Sequence, residues 1–197
     1  MQNGRSDESN PADQYVRDTL ATSPPLFAAI LGVSLIDGDG GKSARKGPTP
    51  GQRMGDSINA YYVSRTDQAA LAQIDIEHIA QGHINRAGKA VGFHHEPSAE
   101  GAARVSSHTK PPDADGVYEG TVQVQNAAGQ WVDKSKPSTF FPQSWSEARL
   151  NYELTVAFNN KSLAPNGQWI GRTDSGIKVQ FVPPTTSAPQ WRGWPLR

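Results

Sequence analysis

The fold of this chain is decided by residues 117–159, which read VYEGTVQVQNAAGQWVDKSKPSTFFPQSWSEARLNYELTVAFN. Apolar and polar residues alternate over residues 117–125, which is typical of a half-buried β-strand. Residues 126–129 form a turn sequence, and residues 130–133 predict a returning strand. The apolar spacing then changes to a helical period. This stretch therefore predicts a β-hairpin followed by an α-helix.

The predicted helix begins near Ser144 and continues to the end of the quoted stretch. Ser144 and Glu147 have the spacing of a capping box, which satisfies backbone N–H groups at a helix start. Leu150, Leu154 and Phe158 recur at intervals of four and predict the buried face. The large aromatic residues nearby are predicted to belong to the core: Tyr118, Phe140, Phe141 and Trp145.

Further strands follow this helix. Residues 169–170 and 177–182 predict two strands, joined by a turn at residues 172–176. Helices and strands are thus grouped along the chain and do not alternate regularly. We therefore predict an α+β fold.

A second helix is predicted upstream of the hairpin. Thr66 or Asp67 can cap a helix that extends to about residue 81, because Gly82 is a natural helix stop. His78 lies in the last turn of this helix, where the helix dipole favours a protonated imidazole.

The N-terminal part of the chain differs in composition. Residues 10–21 predict a short helix, and residues 37–53 are rich in Gly, Pro and Lys and predict a linker. The longest apolar run, residues 26–36, is too short to span a bilayer. We predict an N-terminal segment at residues 1–60 and a main domain at residues 61–197.

Charge and cysteine content narrow the functional classes. The 197 residues carry 19 Lys and Arg against 19 Asp and Glu, which argues against a nucleic-acid binder with a broad basic surface. This balance leaves room for an enzyme that binds a few phosphates locally. The chain has no cysteine, so disulfides, thiolate zinc sites and thiol nucleophiles are excluded.

Chemistry is predicted for residues 78–95, which contain four of the five histidines. An imidazole has an unperturbed pKa of about 6.5, so it can accept or donate a proton near neutral pH. Two such groups across one pocket can act as base and acid in one reaction. His78 and His94 are the candidates, because His78 lies at the inward end of the predicted helix and His94 follows Gly92-Phe93 in a loop of small and polar residues.

A catalytic metal is the alternative use of these histidines. His78 and His83 are five residues apart, so they do not share a helix face as zinc-binding pairs four residues apart do. Adding His94, His95 or His108 gives no familiar zinc spacing. We predict no metal and no cofactor, and a metal-dependent hydrolase stays an open alternative.

The histidine stretch resembles the signature of the EndoU endoribonucleases. Glu77-His78 is followed by Gly82 and, sixteen residues after the first histidine, by Gly92-Phe93-His94. The phrase GKAVGFHHE is similar to the bacterial toxin branch of that family. Lys134 lies 40 residues beyond His94, in a W-x-x-K element followed by STFFP, and matches the third catalytic position. Lys136 is the rival for that position.

The resemblance implies an RNase A-like fold, with antiparallel sheets and flanking helices, and a metal-independent reaction. The RNA 2′-hydroxyl would attack the adjacent phosphate and leave a 2′,3′-cyclic phosphate, with a preference for uridine and tRNA as one target class. By family analogy His94 is the base and His78 the acid, although the sequence does not order them. Lys134 would stabilise charge on the phosphoryl oxygens.

Substrate contacts are also implied by the resemblance. Near the C-terminus the family commonly has Thr/Ser-x-Tyr-Pro, where this chain has Trp194 in the tyrosine position and Arg192 in the hydroxyl position. Trp194 would stack on a base or pack beneath the strand. Thr173 or Ser175 would then supply the hydroxyl. The predicted substrate-binding residues are Gly92, Thr173, Ser175 and Trp194.

The toxin branch implies a biological setting. Its members are C-terminal nuclease domains of larger secreted precursors, delivered into the cytoplasm of a target cell and neutralised by an immunity protein. Residues 1–60 would be a pre-toxin or delivery segment, and no membrane association is expected. A non-catalytic RNA- or protein-binding module on the same fold is the third alternative.

Overall fold

The computed structural model describes residues 48–197. The helix predicted at residues 10–21, the apolar run and most of the predicted linker lie outside this range. The helices of the described part are α1 (Pro50–Arg65), α2 (Gln68–Leu71), α3 (Ile76–Ala80) and α4 (Glu147–Asn159), with a 3₁₀ turn at Glu96–Ser98. None of the helices within residues 48–197 has the length and apolarity needed to cross a bilayer.

The strands form a short hairpin and two antiparallel sheets. The hairpin pairs β1 (His83–Ile84) with β2 (Ala90–Val91). Sheet one contains β3 (Ala103–Lys110), β4 (Tyr118–Gln125), β5 (Trp131–Asp133) and β6 (Ser138–Phe140). Sheet two contains β7 (Ser162–Leu163), β8 (Trp169–Arg172), β9 (Lys178–Val182) and β10 (Arg192–Pro195), in the order β10-β9-β8-β7. The predicted α+β class is confirmed.

The predicted hairpin is confirmed as the centre of sheet one. β4 buries every second residue and pairs with β5 across a turn closed by the bond from Gly129 N to Asn126 O. β6 pairs with the other end of β4, and β3 pairs along its opposite edge. The sequence prediction missed β3 because most of its residues are exposed and give no apolar alternation.

Helix α4 lies against sheet two. Leu150, Leu154 and Phe158 are buried, as predicted. A Cβ on Gly171 of β8 would lie 1.9 Å from the carbonyl oxygen of Ala157, so the helix packs directly on the strand backbone. The predicted cap was wrong by two residues, because the side chain of Ser146, and not of Ser144, accepts from the backbone of the first turn.

The helix predicted over residues 67–81 is two helices. Asp67 caps α2, as predicted, by accepting from Ala69 N and Ala70 N. The helix then breaks because the residue before β10 binds there: Asp75 N donates to Trp191 O, and Trp191 N donates to Gln73 O. Asp75 caps the second helix, α3, and tertiary hydrogen bonds thus override the local helical pattern.

The predicted linker was wrong at its C-terminal end. Residues 50–53 form the first turn of α1, which Thr49 and Gln52 begin with a capping box. Helix α1 packs on α4, where Ser146 Oγ donates to Asn59 Oδ1 over 2.7 Å. The boundary predicted between residues 60 and 61 falls inside this helix.

Two apolar cores lie on either side of the segment that carries the second histidine. One core joins α4, sheet two and α2–α3, and contains Phe141 and Trp145. The other joins sheet one with the β1–β2 hairpin and contains Phe93, Tyr118 and Phe140. Successive aromatic residues in 140–141 enter different cores, so β6 and the segment after it connect the two halves of the fold.

Candidate active site

The first histidine and the second are brought together by a tight turn of the chain. Helix α3 ends at Ala80, Gly82 follows two residues later with φ 64°, and the β1–β2 hairpin returns the chain to the helix end. Phe93 N donates to His78 O over 2.9 Å, and His94 N donates to Ile79 O over 2.6 Å. His94 is therefore attached by its backbone to the helix that carries His78.

Gly92 is the residue that permits this approach. Its φ is 77°, and a Cβ there would lie 2.2 Å from His78 O and 3.0 Å from His78 Nδ1. Phe93 follows with φ 64°, a left-handed conformation that costs a non-glycine residue about 1 kcal/mol or more. The strained turn thus holds the backbones of the two histidine segments close together.

The two imidazoles face one another across the site. Their ring centroids are 6.4 Å apart, and the residues are only 5% and 6% exposed for His78 and His94 respectively. His83 contributes a third ring, 5.3 Å from His78. Helical spacing gave no reason to pair His78 with His83, but the chain reverses at Gly82 and brings them together.

The tautomer of His94 follows from its partner. Nδ1 lies 2.7 Å from the carbonyl oxygen of Thr139 in β6, and a carbonyl can only accept, so Nδ1 carries the proton. Nε2 is left with a free lone pair, as a base requires. Thr139 Oγ1 donates to Pro195 O over 2.6 Å, and the Trp194 ring stacks on His94 with centroids 6.0 Å apart.

Lys134 lies beside the histidines. Its Nζ donates to Gly92 O over 3.0 Å and to Ser138 Oγ over 2.5 Å. Lys136 is exposed on the surface. The geometry thus favours Lys134 over its rival as the cation of this site.

Burial lowers the pKa values of all three groups, and neighbouring positive charge lowers those of the two histidines further. Burial first, then the charges of Arg192, His83 and Lys134, lower the pKa of His78 to about 3. Burial, and then Lys134, hold the pKa of His94 well below its ordinary value of 6.5. Burial lowers the pKa of Lys134 to about 8. Without substrate, both imidazoles are therefore neutral at pH 7.

The predicted hydroxyl donors lie in the turn between β8 and β9. Thr173 is buried and its Oγ1 accepts from Ile177 N, while Ser175 N donates to Glu153 of α4. Within residues 48–197, no hydrogen bond joins either hydroxyl to His78 or His94. The structure thus brings Gly92 and Trp194 to the histidines but does not join Thr173 or Ser175 to them.

Three contributors were not assigned a role from the sequence. Thr139 fixes the tautomer of His94, Ser138 holds Lys134, and His83 adds charge beside His78. Ser138 and Thr139 belong to the STFFP element that carried the resemblance. The sequence therefore pointed to these residues, but it did not show that they bind Lys134 and His94. Within residues 48–197, no three His, Asp or Glu side chains converge as a metal-binding group.

A curated relative resembles part of the chain. A Bacillus cereus protein (strain ATCC 14579) named Toxin is 30% identical over 107 residues. The aligned region is 54% of this chain and 19% of that protein, so the chain spans about a fifth of the relative's length. No solved structure matches the chain.

The family comparison covers the histidine turn and the lysine. The family described as Bacterial EndoU nuclease matches residues 72–188, more than half of the chain. His78, His94 and Lys134 lie inside that match, and β10 lies beyond it. The resemblance drawn from the histidine stretch is confirmed, and the chain belongs to the bacterial EndoU nuclease family.

Proposed function

We propose that this chain is a metal-independent endoribonuclease that cleaves RNA by attack of the 2′-hydroxyl on the adjacent phosphate, with a preference for uridine. The observation that carries the proposal is the proximity of two buried imidazoles and one half-buried ammonium group. His78 and His94 have ring centroids 6.4 Å apart. Lys134 Nζ donates to the carbonyl oxygen of Gly92, a residue that lies between the two histidines in the sequence. A base, an acid and a cation are the groups that such a reaction needs.

The bond changes follow from the chemistry of the substrate. His94, neutral and with a free Nε2, takes the proton of the 2′-hydroxyl as the O2′–P bond forms. The P–O5′ bond breaks, and protonated His78 gives its proton to the departing 5′-oxygen. Lys134 stabilises the negative charge that builds on the phosphoryl oxygens in the transition state. The product is a 2′,3′-cyclic phosphate, and DNA is not cleaved because it lacks the 2′-hydroxyl.

Substrate binding supplies the negative charge that the acid needs. Burial and neighbouring cations lower the pKa of His78, so free enzyme holds it neutral at pH 7. A phosphodiester entering the site offsets those cations and raises the pKa of His78 toward the working range. The acid therefore gains its proton when the scissile group is in place.

The base of the substrate is proposed to stack near the second histidine. Trp194 already stacks on His94 and is half-buried, so one ring face is held while part of the side chain stays exposed. Aromatic side chains bind unpaired bases of single-stranded RNA in this way. Thr173 or Ser175 is proposed to supply the hydroxyl that contacts the base.

A toxin role is proposed from the relative named Toxin. The chain would be the nuclease part of a larger secreted protein and act on RNA in the cytoplasm of a target cell, with tRNA as one target. A cognate immunity protein would cover the site in the producing cell. The segment before α1, which is the larger part of the predicted residues 1–60, would serve delivery.

The proposal is tested with a labelled RNA that contains one uridine, incubated with the protein in excess EDTA. We expect cleavage at the uridine and a 2′,3′-cyclic phosphate on the product, with a matched DNA left intact. Cleavage that requires added divalent metal and leaves no cyclic phosphate would support the metal-dependent hydrolase instead. Saturable RNA binding without cleavage would support the binding module.

A further inference from the structure

The two faces of β10 serve different purposes. A Cβ on Gly193 would lie 3.0 Å from the Phe181 ring and 3.4 Å from Val179, so this residue faces the apolar core of sheet two. Side chains alternate along a strand, so Arg192 and Trp194 lie on the opposite face. Trp194 stacks on His94 there, and Arg192 therefore lies on the histidine side of the strand.

The guanidinium of Arg192 lacks a partner in this position. Its Nε is buried and has no hydrogen-bond partner within residues 48–197, and none of the salt bridges in that range involves it. Two other arginines have carboxylate partners: Arg149 pairs with Glu153, and Arg197 pairs with Asp113. A buried donor without an acceptor destabilises the folded protein, and it does so more strongly when it is charged.

The surroundings of Arg192 are cationic. Its charge lowers the pKa of His78 more than the charge of His83 or Lys134 does, and only burial has a larger effect. No carboxylate contributes to the pKa of His78 or of His94. Arg192 and Lys134 are thus two cations near the histidines, neither has a salt bridge within residues 48–197, and this arrangement is expected where an anion binds.

We propose that Arg192 binds the non-bridging oxygens of the scissile phosphate, on the side of His78 and together with Lys134. A guanidinium presents two parallel N–H groups that match two oxygens of a phosphate, whereas an ammonium acts as a point charge. Arg192 would thus orient the phosphodiester for attack, while Lys134 adds charge beside Gly92. This inference deepens the proposed ribonuclease function and rests on it.

Inorganic phosphate is the probe for the binding step, because it requires no cleavage. Phosphate is titrated into the protein while the ring resonances of His78 and His94 are followed by NMR. We expect saturable shifts in the wild type, and an apparent Kd at least about tenfold higher in Arg192→Gln, the loss of one charge-assisted contact. Arg104→Gln is the matched control: it removes one exposed guanidinium from sheet one, where Arg104 binds Gln123, and should leave the Kd unchanged.

Kinetics on the single-uridine RNA separate this inference from the function on which it rests. We expect kcat/KM to fall on the order of 10²-fold in Arg192→Gln, the usual cost of losing a transition-state donor, and to stay unchanged in Arg104→Gln. Arg192→Lys keeps the positive charge but loses the two parallel N–H groups. This variant should therefore bind phosphate, with a kcat/KM between those of Arg192→Gln and the wild type.

The binding and kinetic results together distinguish a failure of the ribonuclease function from a failure of the role proposed for Arg192. A wild type that binds phosphate through Arg192 but cuts no RNA overturns the ribonuclease function while leaving the anion site. A wild type that cuts RNA while Arg192→Gln binds phosphate and cuts equally well overturns the inference alone. Should Arg192→Gln fail to fold, an Arg192→Lys protein with wild-type kcat/KM would overturn the paired contact.

Discussion

The backbone carbonyl of Thr139 determines which nitrogen of His94 can act as a base. Because Thr139 O accepts from Nδ1, the other nitrogen keeps its lone pair, and burial keeps the ring neutral. A backbone acceptor cannot be removed by substituting the side chain of residue 139. The orientation of this imidazole is therefore fixed by strand β6 itself, and not by a replaceable carboxylate.

Removing either facing imidazole should nearly abolish cleavage. For His78→Ala and for His94→Ala we expect kcat/KM on the single-uridine RNA to fall on the order of 10²- to 10⁴-fold, the usual contribution of a general acid or base. The circular-dichroism spectrum should be unchanged. His108→Ala, which removes an exposed ring from β3, is the control and should retain full activity. A fully active His94→Ala protein would contradict the assignment.

The two lysines provide a matched pair. Lys134→Ala should lower kcat/KM by on the order of 10²-fold because the buried ammonium beside Gly92 is lost, whereas Lys136→Ala removes an exposed charge and should be mild. In the wild type, kcat/KM should decline above pH 8, because burial lowers the pKa of Lys134 to about 8 and the uncharged amine stabilises no anion. The opposite ranking of the two variants would move the role to Lys136.

Candidate catalytic residues could be predicted from the sequence where the spacing of a family motif was enough to identify them. His78, His94 and Lys134 could be named because a motif records their separation along the chain. Thr173 and Ser175 could not be placed, because the Thr173 hydroxyl accepts from Ile177 N and the backbone N–H of Ser175 donates to Glu153 of α4, and these contacts depend on how helix and sheet pack. Arg192 was assigned only an aligned position, since nothing in the sequence shows that its Nε is buried.

At the level of elements, the turn between β2 and the second histidine holds the site together. Gly92→Ala should destabilise the fold by several kcal/mol, because its Cβ would overlap His78 O as well as incur the left-handed penalty. Gly88→Ala is the control: its φ is 73° but nothing lies within 4 Å, so only about 1–2 kcal/mol of backbone strain is expected. Urea unfolding and kcat/KM measure both. Equal costs for the two variants would contradict the predicted overlap.

Elements with a strong local pattern were predicted well. β4, β5 and α4 alternate or repeat in the period that their burial requires, so their sequences suffice. Elements that depend on hydrogen bonds to distant parts of the chain were missed. β10 has no alternating apolar pattern and is held by pairing with β9, and the break between α2 and α3 exists only because Trp191 binds there.

At the level of the whole molecule, three buried histidines make the fold sensitive to acid. Burial lowers the pKa of His78 to about 3 and of His95 to about 4, and holds that of His94 well below 6.5. Below pH 6.5 the unfolded chain protonates these rings and the folded chain does not, so stability falls as pH falls. Each ring contributes a slope of up to about 1.4 kcal/mol per pH unit.

Urea unfolding between pH 7.5 and pH 5 measures this slope in a range where carboxylates stay charged. We expect the free energy of unfolding to be level above pH 7 and to decline below pH 6.5. His94→Gln should reduce the slope by about one proton, because one of the rings that only the unfolded chain protonates is then missing. A flat profile down to pH 5 would show that the rings are protonated in the folded state.

The α+β architecture serves the site by bringing distant segments together. The family match includes the histidine turn and the lysine, and β10 adds Arg192 and Trp194 from outside it. Thr139 of β6 joins these parts, since one of its oxygens accepts from His94 and the other donates to Pro195. Assembly of the site therefore requires both sheets to be formed.

This dependence on β10 has a consequence for synthesis of the chain. While a ribosome is still translating residues 192–195, the imidazole at position 94 has no Trp194 to stack on, and Thr139 has no Pro195 carbonyl to bind. The nascent chain then carries both histidines and the lysine but not the strand that completes their surroundings. The site is therefore incomplete until residues 192–195 have been synthesised and have paired with β9.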